Sequence, residues 1–246
     1  MNALRFSDLT LGYDRHPAVH HLTAEIAGGS LTALVGPNGG GKSTLLKAIT
    51  GALSPLEGRI DAGGLSRREI AYLPQIADID RSFPISVYEL VSTGLWNRTG
   101  IFGGVSKTDR EAIFAALAAV GLSGFERRPI GTLSGGQMQR ALFARLSLQN
   151  AKLVLLDEPF AAIDTRTTHD LVHMIEHWHA EGRTIVAVLH DFDLVRRHFP
   201  QSLLLAREGV AFGPTAQVLT PENLFRARHM IEAFDPHADL CVREVA

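Results

Sequence analysis

The nine residues Gly36 to Thr44, GPNGGGKST, constrain this chain more than any other stretch. They satisfy G-x-x-x-x-G-K-[ST], follow directly on the apolar run LTALV at 31–35 and precede an apolar segment, LLKAIT. A strand, a glycine-rich loop and a helix in that order are the context a phosphate-binding loop demands. Glycines at Gly36, Gly39, Gly40 and Gly41 let the backbone enter left-handed conformations, so that successive N–H groups turn inward around phosphate oxygens. Pro37 and Asn38 complete the loop. Lys42 brings a point charge for the outer phosphates, the helix start adds its partial positive charge, and Ser43, followed by Thr44, offers a hydroxyl to Mg²⁺. A chance match in a glycine-rich chain is the bland alternative, and the flanking strand and helix weigh against it. Only four of the 24 basic residues are lysines, which isolates Lys42 further.

Beyond the loop, short Val/Ile/Leu runs alternate with segments of helical period, the pattern of a mainly parallel sheet with covering helices. Leu31 to Val35, Ile70 to Leu73, Leu153 to Leu156 and Ile185 to Leu189 are too short for helices and too continuously apolar for one-sided strands, so buried strands are expected. Before Leu31, alternating Leu4, Phe6, Leu9 and Leu11, then Leu22, Ala24 and Ile26, predict an antiparallel flank. Residues 76–150 are dominated by helical signals: Val87 to Thr93, Thr108 to Val120 and Ser134 to Gln149. Two further helical pieces lie beyond residue 215, one opening at Pro221. The expected fold is thus an α/β core of residues 1–75 and 151–215, a helical subdomain at 76–150 and a helical tail at 216–246, all within one domain.

Two more segments carry chemistry. LVLLDEP, Leu153 to Pro159, delivers two adjacent carboxylates at a strand's carboxyl end, the edge where open α/β sheets bind ligands. Asp157 would sit in a Mg²⁺ shell. Glu158, on the opposite side of the strand, could act on a water in line with the terminal phosphate. In LSGGQMQRALFARLSLQ, from Leu133, Ser134 with Gly135 and Gly136 opens a helix whose apolar positions Met138, Leu142 and Leu146 recur every fourth residue. That helix start would be a second anion cradle, with a capped structural helix as the plainer alternative.

GPNGGGKST, LSGGQ and LVLLDEP in that order resemble the nucleotide-binding subunit of an ABC transporter, over nearly the whole chain. The resemblance implies a RecA-like P-loop ATPase core with an antiparallel β flank and a helical insertion. It implies ATP and Mg²⁺ as cofactors, with Tyr13 stacking on adenine and the loop Gly36 to Thr44 on the phosphates. Gln75 and His190 would sit with Glu158 around the attacking water and terminal phosphate; Ser43, Gln75 and Asp157 would surround the metal. Asp164, in the loop after the Mg²⁺ strand, would count among the nucleotide-binding residues, with Ala161-Ala162-Ile163 before it in place of the serine-alanine-leucine of many members. Ser134, Gly135, Gly136 and Gln137 would close over the nucleotide of a second copy, making a head-to-tail homodimer with two shared ATP molecules. Independently of the resemblance, Gly36, Gln75, Asp157 and His190 each end one of the four expected parallel strands, so one sheet edge would gather them.

FPISVYELV, the DREA helix start, GTLSGGQMQRALFARL, LLLDEPFAAID and AFGPTAQVLTPENL together resemble the ATPases of manganese, zinc and iron-chelate importers. The resemblance implies a motor for uptake of zinc or manganese, on the cytoplasmic side of the membrane, bound to transmembrane permease subunits and indirectly to a substrate-binding protein. Phe83 to Trp96 would suit docking of a permease helix, or core packing. An importer for an iron chelate or another solute, or an exporter subunit, is the alternative; a nucleic-acid clamp is a more remote one, since net charge −2 argues against a nucleic-acid partner and no heptads or second phosphate loop appear. No apolar run reaches the ~18 to 20 residues of a membrane span. MNALRFSDLTLGYDRH shows no signal peptide, and the single Cys241 suits a reducing compartment. His169, His173 and His177 recur at four-residue spacing opposite an apolar stripe of Leu171, Ile175 and Trp178. Such a ladder could bind Zn²⁺ through pairs of imidazoles or form a solvated polar face; His237, Asp239 and Cys241 pose the same choice.

Overall fold

A computed structural model describes residues 4–13, 16–100, 103–161 and 163–232. In chain order the elements are β1 (Leu4–Tyr13), β2 (His16–Ile26), β3 (Leu31–Val35), α1 (Lys42–Ile49), β4 (Glu57–Asp61), β5 (Ile70–Leu73), α2 (Val87–Ser92), α3 (Trp96–Thr99) and α4 (Lys107–Ala119). Then follow α5 (Gly135–Gln149), β6 (Leu153–Asp157), α6 (Thr165–Ala180), β7 (Thr184–Val188), α7 (Phe192–His198), β8 (Gln201–Ala206), β9 (Glu208–Pro214), α8 (Thr215–Val218) and α9 (Pro221–Glu232). They form two compact units, one from the first 67 residues together with the stretch from Thr184 onward, the other from Arg68–Arg183. The tail residues His237, Asp239 and Cys241, and Ala162, lie outside the described residues.

The first unit holds a three-stranded sheet in the order β2-β1-β4, with both pairings antiparallel. The apolar phase along β1 changes from even positions (Leu4, Phe6) to odd ones (Leu9, Leu11), yet all four are buried. A register shift between Phe6 and Leu9, with Asp8 at φ 47, is the bulge that turns the second half over. Without it a period-2 strand would send Leu9 and Leu11 to the opposite face. β4, EGRID, is largely exposed and shows no alternation, so its sequence gave no strand signal.

The same unit contains β3 with parallel neighbours β7 and β8, and β9 antiparallel on β8. β3 and β7 are buried at every position, as their unbroken apolar runs predict. Leu45 and Leu46 of α1, 1% and 0% exposed, pack into this unit's core.

In the second unit β5 and β6 pair in parallel. β6 is buried throughout, whereas β5 alternates, with Ile70 and Tyr72 only half-buried. α2, α4 and α5 each begin with a capping box, on Ser86, Ser106 and Ser134 respectively. Met138, Leu142 and Leu146 face inward from α5, and Phe143 stacks on Trp178 of α6 with ring centroids 5.7 Å apart. Phe143→Ala should destabilise the fold by about 3–5 kcal/mol through lost burial and a residual cavity, readable as a lowered midpoint in denaturant. Along the 83–96 segment Val87, Val91 and Leu95 are core residues, while Phe83 and Trp96 are each 60% exposed.

Candidate nucleotide site

In the first unit the chain leaves β3 at Val35 and enters the glycine loop. Gly36 has φ 146, and a Cβ there would stand 1.9 Å from the carbonyl oxygen of Leu205 on β8. Gly41, at φ 88, would bring a Cβ within 2.3 Å of the Val19 side chain and 2.6 Å of the Ala18 carbonyl on β2. Only bare backbone fits between these walls. At Gly39, φ 77, an added Cβ would meet nothing within 4 Å. Gly36→Ala should therefore displace the loop at a cost of about 1–3 kcal/mol and weaken nucleotide binding roughly tenfold or more. Gly39→Ala, strained but unobstructed, should do less; titration of both variants with a fluorescent nucleotide makes the comparison.

Lys42 opens α1 and is 6% exposed; its Nζ donates to the carbonyls of Gly36 (2.9 Å) and Pro37 (2.8 Å), which hold the ammonium at the loop. Ser43 and Thr44 follow on the first turn of α1. Arg207, missed in the sequence, fastens the loop from behind. Its N–H donates to the Gly40 carbonyl at 3.1 Å, its guanidinium donates to the Pro17 carbonyl at 2.5 Å, and its own carbonyl accepts from His20 N–H at 2.6 Å. It occupies the β8–β9 turn at φ 65. The only signal was a short polar turn, Arg207-Glu208-Gly209, between two apolar runs. Burial first, and then the Arg207 charge, holds the His20 imidazole below its ordinary pKa.

β3 and β7 pair in parallel with Leu34 opposite Val188. Extending that register brings His190 level with Gly36 at the same strand ends. His190 is exposed, and the next residue, Asp191, caps α7 by accepting from Asp193 and Leu194 N–H. Tyr13 ends β1, 49% exposed.

The second unit carries the remaining residues. Leu73 on β5 is opposite Leu156 on β6, which brings Gln75 level with Glu158 just past the strand ends. Gln75 Nε2 donates to Glu158 Oε1 at 2.9 Å. Asp157 is 1% exposed and accepts from the Tyr72 hydroxyl at 3.2 Å. Glu158 has φ 50, a conformation that costs a non-glycine residue ~1–2 kcal/mol and that ends β6 between the two carboxylates.

Ser134 caps α5: its Oγ accepts from Gln137 N–H at 3.2 Å, while Gln137 Oε1 accepts from Ser134 N–H at 3.0 Å. The Gln137 side chain is thus folded onto the cap, and the glycine N–H groups of Gly135 and Gly136 form the helix tip. Asp164 caps α6, accepting from Thr167 N–H (2.9 Å) and from its hydroxyl (2.7 Å), and these bonds, the hydroxyl's first, hold its carboxyl below the usual carboxylate range. Gly136, Ser134, Gln137, Asp164 and Thr167 share a polar cavity of about 290 Å³. Arg140 stands at its side, donating to Thr167 Oγ1 at 2.9 Å.

A glycine loop walled at Gly36, Gly40 and Gly41 so that only backbone fits there, with a buried ammonium held on the Gly36 and Pro37 carbonyls, matches an oligophosphate. The buried Asp157 carboxylate is an oxygen donor of the kind that hard divalent cations prefer.

This strand–loop–helix construction defines a P-loop nucleotide-binding protein. Residues 19–161 match the family model described as ABC transporter. The manganese transport system ATP-binding protein MntB of Listeria monocytogenes is 38% identical over 225 residues, covering 90% of this chain and 94% of that protein. The manganese transport system ATP-binding protein MntA of Synechocystis is 38% identical over 213 residues, covering 84% and 82%. Among solved structures, an ABC transporter in an inward-facing conformation superposes with a TM-score of 0.81 at 29% identity, covering 93% of this chain and 90% of that one. The chain belongs to the ABC transporter family and has the fold of its ATP-binding cassette. It is an ABC-type ATPase. Among the described residues no helix is long and apolar enough to cross a membrane.

Proposed function

We propose that this chain is the ATP-hydrolysing motor for uptake of manganese or zinc, working at the cytoplasmic face of a membrane as a homodimer bound to permease subunits. The observation that carries the reading is a likeness over 84–90% of the chain, at 38% identity, to ATP-binding proteins of manganese transport systems, joined to an intact set of phosphate-loop and carboxylate residues. In this reading the loop Gly36 to Thr44 binds the phosphates of ATP, with Lys42 as their cation, and Tyr13 takes the adenine. Ser43, Asp157 and Gln75 would hold Mg²⁺, which when bound neutralises phosphate charge. Glu158 orients the attacking water and accepts its proton, Gln75 steadies the Glu158 carboxylate, and His190 faces the terminal phosphate. Ser134, Gly135, Gly136 and Gln137 approach the ATP of the second copy, where the α5 helix start favours negative charge.

Asp164, which caps α6 through Thr167, lies beside Gly136, and Arg140 of α5 donates to the same Thr167 hydroxyl, so that α5 is tied to the start of α6 within one copy. Phe83 and Trp96, together with Phe114 at 45% exposed, give the second unit aromatic surface that would suit a permease helix. A substrate-binding protein would meet the permease rather than this chain.

The experiment is co-expression with its permease in cells lacking their own manganese and zinc importers, with metal content read by mass spectrometry. Native protein should restore manganese or zinc accumulation and Lys42→Ala should not. Accumulation unchanged by either would reject the assignment of cargo.

A further inference from the structure

The solvent face of α6 holds an arrangement that nucleotide chemistry does not use. His169 and His173, one turn apart, bring their Nε2 atoms to 3.2 Å, with the rings edge-on at 89°. His173 Nδ1 lies 3.1 Å from Glu176 Oε2, and the His173 side chain is 58% exposed. We propose that His169 and His173 form a binding site for a borderline divalent transition metal such as Zn²⁺ or Ni²⁺, with water completing the shell.

Three features support the assignment. Two imidazole ligands on a tetrahedral ion at about 2.0–2.1 Å stand ~3.3–3.4 Å apart, close to the observed Nε2 separation, and rotation of the two exposed rings from their edge-on contact at 4.3 Å aims both lone pairs at one ion. In the metal-free pair one ring's Nε2–H donates to the other ring's Nε2 lone pair; on metal binding that proton moves to Nδ1 of the same ring, which stays neutral and leaves both Nε2 lone pairs for the cation. Second, a carboxylate on the far nitrogen of a ligating histidine fixes its tautomer and raises its basicity, and Glu176 stands at that position for His173. Third, the pair rides on a rigid scaffold: α6 runs 16 residues, is capped by Asp164, and buries Leu171, Val172, Ile175 and Trp178 on its opposite face. Imidazole donors favour Zn²⁺, Ni²⁺ or Cu²⁺ over oxygen-seeking Mg²⁺ and Mn²⁺, so the Mg²⁺ that accompanies ATP would leave this site alone. His177 pairs with Glu181 instead, at 3.3 Å, and serves as an internal control.

The test titrates the nucleotide-free full chain with ZnCl₂ in excess Mg²⁺, following the histidine imidazole resonances by NMR and the heat of binding. The His169 and His173 signals should move together at one equivalent. His169→Gln or His173→Gln should each lower the affinity at least tenfold. Glu176→Gln should lower it several-fold, toward the weak end of the ~10–100-fold range for outer-shell partners, because this carboxylate is solvent-exposed. His177→Gln should change nothing. Helix content by circular dichroism confirms folding of each variant. Unmoved His169 and His173 signals, undiminished Zn²⁺ binding in the His169→Gln/His173→Gln double variant, or an equal response to Mn²⁺ would each overturn the site.

Discussion

Lys42→Ala should lose nucleotide affinity by roughly 10- to 100-fold, because a charge-assisted hydrogen bond contributes about 1.5–3 kcal/mol and 1.4 kcal/mol is a factor of ten. The ammonium is buried at the loop, held by the carbonyls of Gly36 and Pro37. Its removal takes away a phosphate contact and the clasp on the loop together. Lys42→Arg should not rescue: a planar guanidinium is wider than the ammonium and cannot seat on the same two carbonyls. Isothermal titration with ATP reads both variants. Native affinity in Lys42→Ala would mean that the loop does not carry the phosphates.

Glu158→Gln should do the opposite, leaving ATP binding near native while lowering turnover by ~10²–10⁴-fold, the range for removal of a positioned general base. The amide keeps an oxygen that can still accept from Gln75 Nε2, so the local arrangement survives while the proton acceptor is lost. Single-turnover phosphate release separates the chemical step from binding. A variant that hydrolyses at the native rate would assign the base elsewhere.

Much of this was legible in the residues. Four buried β-branched or leucine residues in each of β3, β6 and β7, with an alanine among those of β3 and β7, announced these strands, because strands covered on both faces leave no room for polar alternation. Ser134 marks the start of α5 in the sequence, and the structure gives it a capping box with Gln137. Of the four residues expected at strand ends, Gly36 and His190 lie level past β3 and β7 in the first unit, while in the second Gln75 lies past β5 and Asp157 ends β6.

What stayed hidden depends on tertiary context. The bulge at Asp8 is a backbone event at an ordinary residue. β4 is a polar edge strand identified only by its partner β1. Arg207 matters through main-chain bonds to Gly40 and His20, and no side-chain pattern encodes those. The carboxylates on the histidine ladder are a different case: His173–Glu176 and His177–Glu181 stand at i,i+3 and i,i+4, a local spacing that the sequence does carry and that went unread.

The head-to-tail grip on ATP is tested most directly by mixing two inactive proteins. Lys42→Ala spoils the phosphate loop, and Ser134→Arg spoils the α5 helix tip. If each nucleotide lies between the loop of one copy and the helix tip of the other, a mixed dimer pairs the intact loop of the Ser134→Arg chain with the intact tip of the Lys42→Ala chain. ATP hydrolysis in the mixture should then rise well above that of either variant alone. A mixture as inactive as its parts, under conditions where exchange of labelled subunits is verified, would show that loop and tip do not meet across two copies.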